Sequence, residues 1–298
     1  MVNNSYIVLT SAYNEENYLG AIIESMSKQV VLPLRWLILD DGSNDRTAVL
    51  AQDAAARNPF ISVCSLPPRN VRTFQGKAEA LRLGYETLHH LPFGYVGILD
   101  ADVTLPPDYY EGLLKKFEAD ARLGLAGGVL HEESSKGFKL LKSNARWSVS
   151  GPIQMFRRSC WEEIGGYLPL ARGGIDAVAE IMVRMRGWQV HAFTDLPAFH
   201  HRPIGTATGT LFGKNFRAGI KEYAYGMHPL FEVLKALHRA TEPPFLISSF
   251  LRLAGFGWAW LRREPQPLPR GVMDFFRREQ LERLDHYWDK VRSRRIHT

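Results

Sequence analysis

The stretch Gly94–Tyr110, GYVGILDADVTLPPDYY, runs without charge to Leu99 and then places two carboxylates, Asp100 and Asp102, just ahead of a Pro-Pro pair. The apolar start reads as a buried strand. An acid at the end of such a strand is costly to desolvate unless a cation, a hydrogen-bond donor or a helix N-terminus compensates it. Asp100 and Asp102 are two residues apart, so in extended backbone both side chains face one side and can chelate a hard divalent ion together with phosphate oxygens. The plainer alternative is that Asp102 caps the helix after LPP and Asp100 pairs with a nearby base.

Outward from this stretch the same β-then-α pattern repeats. YIVLTSA (6–12) reads as a buried strand, and Leu19, Ile22, Ile23 and Met26 follow at helical spacing. RWLILD (35–40) precedes a turn and a helix from about Arg46 to Arg57. FISVCSL (60–66) precedes a helix from Lys77 to about Leu88, and YVGILD (95–100) one from near Asp108 to Ala119. Strands alternating with helices predict an α/β fold, a mostly parallel sheet covered on both faces. Ligands of such sheets sit at the carboxyl ends of the strands, where LDDGSNDRT and LDADVT both place acids.

With 298 residues, 45% of them hydrophobic, the chain can bury a full α/β core, which excludes a disordered chain. The start, MVNNSYIVLTSAYNEE, lacks the basic opening and long apolar run of a secretory signal, so a cytoplasmic location is expected. Cys64 and Cys160 lie far apart without metal-ligand spacing and read as buried reduced thiols. The net charge of +6 is uneven: residues 200–298 hold 17 Lys and Arg against 9 Asp and Glu, leaving 20 against 22 for residues 1–199. The second part is therefore the one expected to meet something anionic.

Six motifs in order over residues 5–200 resemble the family-2 glycosyltransferases, which bind nucleotide sugars on a GT-A fold. They are SAYNEENYL, LDDGSNDRT, GKAEALRLGY, DAD, GPIQMFRRSCWEEIGGY and GGIDAVAEIMVRMRGWQV. The resemblance implies a GT-A domain over 1–203, with 204–298 as a helical C-terminal extension. It implies that Asp41 contacts the ribose or base while Asp40 shares the strand end, that Tyr13 and Asn14 wall the base pocket, and that Glu15 or Glu16 reaches the nucleoside. Lys77, at a helix start behind Gly76, and Asp100 are implied at the donor phosphates or ribose. Asp102 becomes the metal ligand of the D-x-D, joined by His200 or its neighbour His201, with Mg²⁺ or Mn²⁺ as cofactor. Asp176 becomes the base that takes the acceptor proton in an inverting transfer, eleven residues before Gly187 as the family spacing requires. The sequence departs from the family at Ile175, where a glutamate is usual, and Glu180 one helical turn beyond Asp176 is the fallback base. For each acid a bland role stands beside this one, as a turn acceptor for Asp40, helix N-terminal charge for Glu16 and a helix cap for Asp176.

Beyond residue 203 the resemblance fades. The segment from Phe245 to Leu261 is apolar, interrupted by Arg252 and closed by Arg262 and Arg263. It is short for a membrane span. Peripheral contact with the inner membrane through 243–263 is expected, with Trp258 and Trp260 at headgroup level; a helix packed on the catalytic domain or in a dimer interface is the alternative. The following FFRREQLERLDHYWDKVRSRR reads as a charged helix with Phe275, Phe276, Leu281, Leu284 and Trp288 turned inward, and no nucleic-acid recognition motif is present. The Gln-x-x-Arg-Trp motif of processive synthases is missing, which points to single addition, onto a lipid-linked or saccharide acceptor. UDP-sugars are the default donor by analogy, with GDP- and dTDP-sugars open. Two rivals are a catalytically silent GT-A-like binding subunit of a glycan-assembly complex, which Ile175 favours, and a nucleotidyltransferase. The latter usually opens with a Gly-rich phosphate loop, whereas SAYNEENY holds no glycine.

Overall fold

The computed structural model describes residues 4–67, 73–134, 137–140, 146–202, 211–239 and 246–296. They fall into two compact units, Met1–Ile204 and Gly205–Thr298.

In the first unit β1 (Tyr6–Ala12), β2 (Arg35–Asp40), β3 (Ile61–Ser65) and β4 (Tyr95–Ile98) pair in parallel in the order β3-β2-β1-β4. Every residue of β1 is buried, including the polar Thr10 and Ser11, as expected of a strand in a sheet covered on both faces. Tyr6 keeps its hydroxyl there by donating to the Val31 carbonyl at 2.6 Å. Helices α1 (Leu19–Ser27), α2 (Thr47–Arg57) and α3 (Phe74–Leu88) make the crossovers. α3 starts earlier than the sequence suggests because Thr73 caps it, its hydroxyl accepting from the Gly76 N–H at 3.0 Å. This puts Lys77 one turn inside the helix.

Beyond β4 the sheet turns mixed. β5 (Val103–Thr104), α4 (Tyr109–Ala119), β6 (Leu123–Ser134), β7 (Gly137–Leu140), β8 (Met155–Arg157), α5 (Arg158–Ile164), α6 (Ile175–Met185) and β9 (Gln189–His200) follow. β8 lies antiparallel between β4 and β6, β6 and β9 run parallel, and β5 closes the edge antiparallel to β9. The β6 and β9 registers slip between Gly127 and Val129. There the backbones come so close that a Cβ on Gly128 would run into the Leu196 carbonyl oxygen. The two thiols are free: Cys160 is buried, its pKa pushed up to about 12 by burial and then by Glu163, whereas Cys64 is only half-buried.

The second unit holds α7 (Leu211–Ala224), α8 (Pro229–Arg239), α9 (Ile247–Leu261) and α10 (Arg270–Ile296). Residues 203–210 and 243–245, at the edges of the segments read from sequence, lie outside the described residues. Of the inward face expected of α10, Phe275, Phe276 and Leu284 are half-buried and Leu281 is exposed, while Val272, Met273 and Gln280 are the buried residues; the side chain of Trp288 lies outside the described ones.

Gly128→Ala should cost about 3 kcal/mol by forcing β6 and β9 apart. Urea unfolding followed by tryptophan fluorescence checks this, and an unchanged midpoint would contradict the close strand approach.

Candidate active site

The carboxyl ends of β1, β2 and β4 converge, and the loops after β1 and β2 are laced together. Asn14 has φ +55°, a left-handed conformation that Asn tolerates better than most residues. Its side-chain oxygen accepts from Asn44 N–H at 2.9 Å, and its own N–H donates to Ser43 Oγ at 3.0 Å. Glu15 N–H donates to Thr47 Oγ1 at 2.7 Å, Glu16 N–H to Asp45 Oδ2 at 3.2 Å, and Arg46 N–H to Glu16 Oε2 at 3.2 Å. Glu16 is thus exposed on a loop bridge. Asp40 is buried and accepts from Ser43 N–H at 3.1 Å, while Asp41, also buried, ties its N–H to the Ala12 carbonyl at 2.8 Å. Tyr13 is half-buried at the end of β1.

Asp100 and Asp102 do not lie in extended backbone, which corrects the expectation of two carboxylates chelating side by side. The chain turns there, with Val103 N–H donating to the Asp100 carbonyl at 3.3 Å. The two side chains find different cations. Lys77 Nζ stands 2.5 Å from Asp100 Oδ1. Asp102 Oδ1 lies 3.2 Å from His200 Nε2, and its Oδ2 lies 3.5 Å from Arg202 Nε. Burial opposes the charge on Asp102, but the His200 hydrogen bond and the charges of His200, Arg202 and Lys77 outweigh it and hold the carboxyl below its ordinary range. His200 moves the other way: burial lowers its pKa, and Asp102, Asp100 and Glu132 more than reverse that.

Arg202 was not read from the sequence, where a basic residue just past a strand looks like ordinary surface. It pairs with the buried Glu15, reaches Asp102 and lies over the Tyr18 ring at 5.1 Å. One guanidinium therefore joins the β1 loop to the turn after β4. Of the two histidines, His200 faces Asp102, whereas His201 Nε2 lies 2.9 Å from Thr104 Oγ1.

A short turn, Gly151–Ile153, links Asp176 to this cluster. The Pro152 carbonyl accepts from Asp100 N–H at 3.0 Å, and the Gln154 carbonyl from Ile98 N–H at 2.7 Å. Gly151 sits so near Asp176 that a Cβ would lie 2.5 Å from its Oδ2. Asp176 is in the first turn of α6, whose N-cap residue is Gly174, so it is not the cap. Ile175 is buried and brings no polar group. Tyr167, the last residue of the GGY motif, donates to Gln154 Oε1 at 2.6 Å. Burial, then the charges of Asp176, Asp100 and Glu180, push its hydroxyl pKa well up, which marks the three acids as its neighbours.

Glu180 departs from the fallback role read for it. Its buried carboxylate accepts from Val149 N–H at 2.6 Å and Ser148 Oγ at 3.2 Å, with Arg184 Nη1 3.7 Å away. It anchors the start of the turn that carries Gly151.

The sequence profile described as Glycosyl transferase family 2 matches residues 7–174. The chain belongs to this family. Asp176 and His200 lie beyond the matched span. A chondroitin synthase of Pasteurella multocida (strain Pm70) is 32% identical over 176 residues, 55% of this chain and 17% of that protein. An undecaprenyl-phosphate 4-deoxy-4-formamido-L-arabinose transferase of Edwardsiella ictaluri (strain 93-146) is 26% identical over 175 residues, 56% of this chain and 49% of that protein. The chain thus spans less than half the length of these relatives. Among solved structures, the mannosyltransferase PcManGT from Pyrobaculum calidifontis, in complex with GDP-Man and Mn²⁺, superposes with a TM-score of 0.55 at 17% identity, over 90% of this chain and 77% of that one. S. aureus TarS 1–349 in complex with UDP-GlcNAc gives 0.54 at 12% identity, over 91% and 78%. At such identities the likeness is one of fold, and the fold is GT-A.

Burial, with a smaller push from Asp176, raises the Glu180 pKa to about 7 from 4.5, against the opposing pull of Val149, Arg184 and Ser148. A raised carboxyl pKa means that the folded state holds a proton the unfolded chain has released, so this group's contribution to stability is lost as pH rises from about 4.5 through about 7. Glu180→Gln keeps an acceptor for Val149 and does not titrate. Its melting temperature relative to wild type should therefore rise between pH 5 and pH 8 in a scanning-fluorimetry series; a constant offset would contradict the buried acid.

Proposed function

We propose that this chain transfers a sugar from a nucleotide-diphosphate donor, a UDP-sugar by default, to a hydroxyl of a lipid-linked or saccharide acceptor, one sugar at a time and with inversion. The observation that carries this reading is the junction at the Gly151 turn, which ties Asp176 to the strand-end cluster of Asp100 and Asp102. An acceptor base and a phosphate-facing charge cluster must be neighbours for such a reaction.

In this mechanism Tyr13, Asn14, Asp40 and Asp41 hold the nucleoside, Glu16 braces the loop beside it, and Lys77 and Asp100 meet the donor phosphates or ribose. Asp102 and His200 fit a divalent cation as a two-residue corner. His200 Nδ1 is buried without a hydrogen-bond partner among the described residues, and among these no three His, Cys, Asp or Glu side chains form a complete cage. Mg²⁺ or Mn²⁺ held there would neutralise charge developing on the leaving diphosphate. Asp176 takes the proton of the acceptor hydroxyl as its oxygen bonds to the anomeric carbon, and the bond to the diphosphate breaks with its electron pair leaving on the nucleotide. Arg202 orients Asp102 from the side opposite His200. Single addition rests on the missing Gln-x-x-Arg-Trp motif, and the names of the two relatives, one a polymer synthase and one a lipid-phosphate transferase, are consistent with either acceptor class. The chain works at the cytoplasmic face of a membrane, attached peripherally. Ile175, apolar and buried, favours one rival, a binding subunit that holds donor without turning it over.

The test is nucleotide release from a panel of UDP-, GDP- and dTDP-sugars with Mn²⁺ or Mg²⁺, with the product anomer read by NMR. One donor should turn over with inversion. Asp176→Ala should lose at least about 100-fold in turnover while still binding that donor. Donor binding without turnover by the wild type would establish the rival, and no binding to any donor would refute both.

A further inference from the structure

α8 is built inside out. Its buried face carries Glu232, at 0% exposure, and Ala236. Lys235 Nζ lies 2.6 Å from both Glu232 Oε2 and Glu222 Oε1, and Arg252 Nη1 lies 2.9 Å from the same Glu222 oxygen. The helix therefore turns Glu232 and Lys235 inward, on a compact ion cluster, while Arg239 at its end stays exposed. Leu230, Val233 and Leu237 are left outside, spaced three and four residues apart and so on one face. In a helix facing water the apolar stripe should point the other way.

α9 repeats the arrangement at greater length. Ser249, Phe256 and Ala259 are buried, while Ile247, Phe250, Trp258 and Leu261 are exposed at positions that fall on one helical face. Phe250 is 70% exposed and Leu261 is 74% exposed, values for large apolar side chains that call for a cover. α9 holds no acid; Arg262 and Arg263, both exposed, follow it. Trp258 lies under the Arg262 guanidinium at 5.6 Å, an aromatic and a cation side by side at the helix end. No helix among the described residues is long and apolar enough to cross a bilayer.

We infer that the outward stripes of α8 and α9 form a surface that docks in the headgroup zone of an anionic lipid bilayer. The stripes enter the acyl boundary, and Arg262 and Arg263 pair with lipid phosphates. This deepens the peripheral attachment proposed above and adds α8, whose inverted face cannot be recognised until its charged partners are located. An anionic membrane matches both features at once: an apolar layer for Phe250, Trp258 and Leu261, and negative charge beside it for the arginines. A second copy of the chain would offer the apolar half but would bring the same arginines with it.

The experiment floats the full chain with vesicles of phosphatidylcholine, with and without phosphatidylglycerol. Wild type should float with the phosphatidylglycerol vesicles and be released by high salt in part only. Phe250→Ser with Leu261→Ser, both exposed positions, should weaken flotation at least about tenfold with the circular dichroism spectrum unchanged. Arg262→Glu with Arg263→Glu should abolish the preference for phosphatidylglycerol. No flotation of wild type, or flotation untouched by both double variants, overturns the inference. So does a concentration-dependent dimer of wild type that Phe250→Ser with Leu261→Ser dissolves. Nucleotide release, measured in parallel without lipid, separates the two accounts: turnover without flotation refutes the surface alone, and flotation without turnover refutes the reaction alone.

Discussion

The constraint on which the catalytic unit depends is the cost of holding carboxylates at the ends of buried strands. Asp40, Asp41 and Asp102 are all buried, and a buried charge left without partners is among the most destabilising features a fold can carry. Asp40 and Asp102 are compensated locally. The turn after β2 donates to Asp40, while His200 and Arg202 flank Asp102. Removing either partner would leave a buried carboxylate uncompensated. Under the proposed function the same cluster is also where the donor diphosphate binds.

That solution dictates the rest of the unit. His200 reaches Asp102 because β5 pairs antiparallel with the end of β9, Val103 opposite His200. β9 in turn is held by its long parallel pairing with β6, tight enough to require glycine at 128. On the other side, Glu180 fixes the backbone at Val149, and the turn that follows carries Gly151 against Asp176 and Pro152 against Asp100. A glutamate on the same helix as the proposed base acts here through the backbone opposite it.

Much of this was legible in the sequence. The mostly apolar runs of β1, β2 and β4, each meeting polar residues at its end, define the parallel core. Helices α2 and α4 begin within a residue of their expected starts. The mixed half was harder to see: LGLAGGVLHEES does not alternate, and its glycines weaken a strand reading that only the pairing with β9 restores. The pairing of Asp100 with Asp102 is plain in the sequence, but a two-residue spacing does not reveal the turn that splits them. The pairing of Arg202 with Glu15 and the hold of Glu180 on Val149 carry no local signal, since those partners lie 187 and 31 residues away in sequence. The inversion of α8 is hidden in the sequence for a similar reason. Its pattern is amphipathic either way, and the side that faces inward depends on Glu222 and Arg252 on other helices.

The most direct test of the central claim, that the strand-end acids form a donor-diphosphate site completed by a divalent cation, is calorimetric titration of UDP and GDP into the protein with and without Mn²⁺. The account predicts that one nucleotide binds with Mn²⁺ and much more weakly without it, and that Asp102→Asn removes this metal dependence while the protein stays folded. Equal binding with and without the cation, or a metal dependence that survives Asp102→Asn, would contradict it.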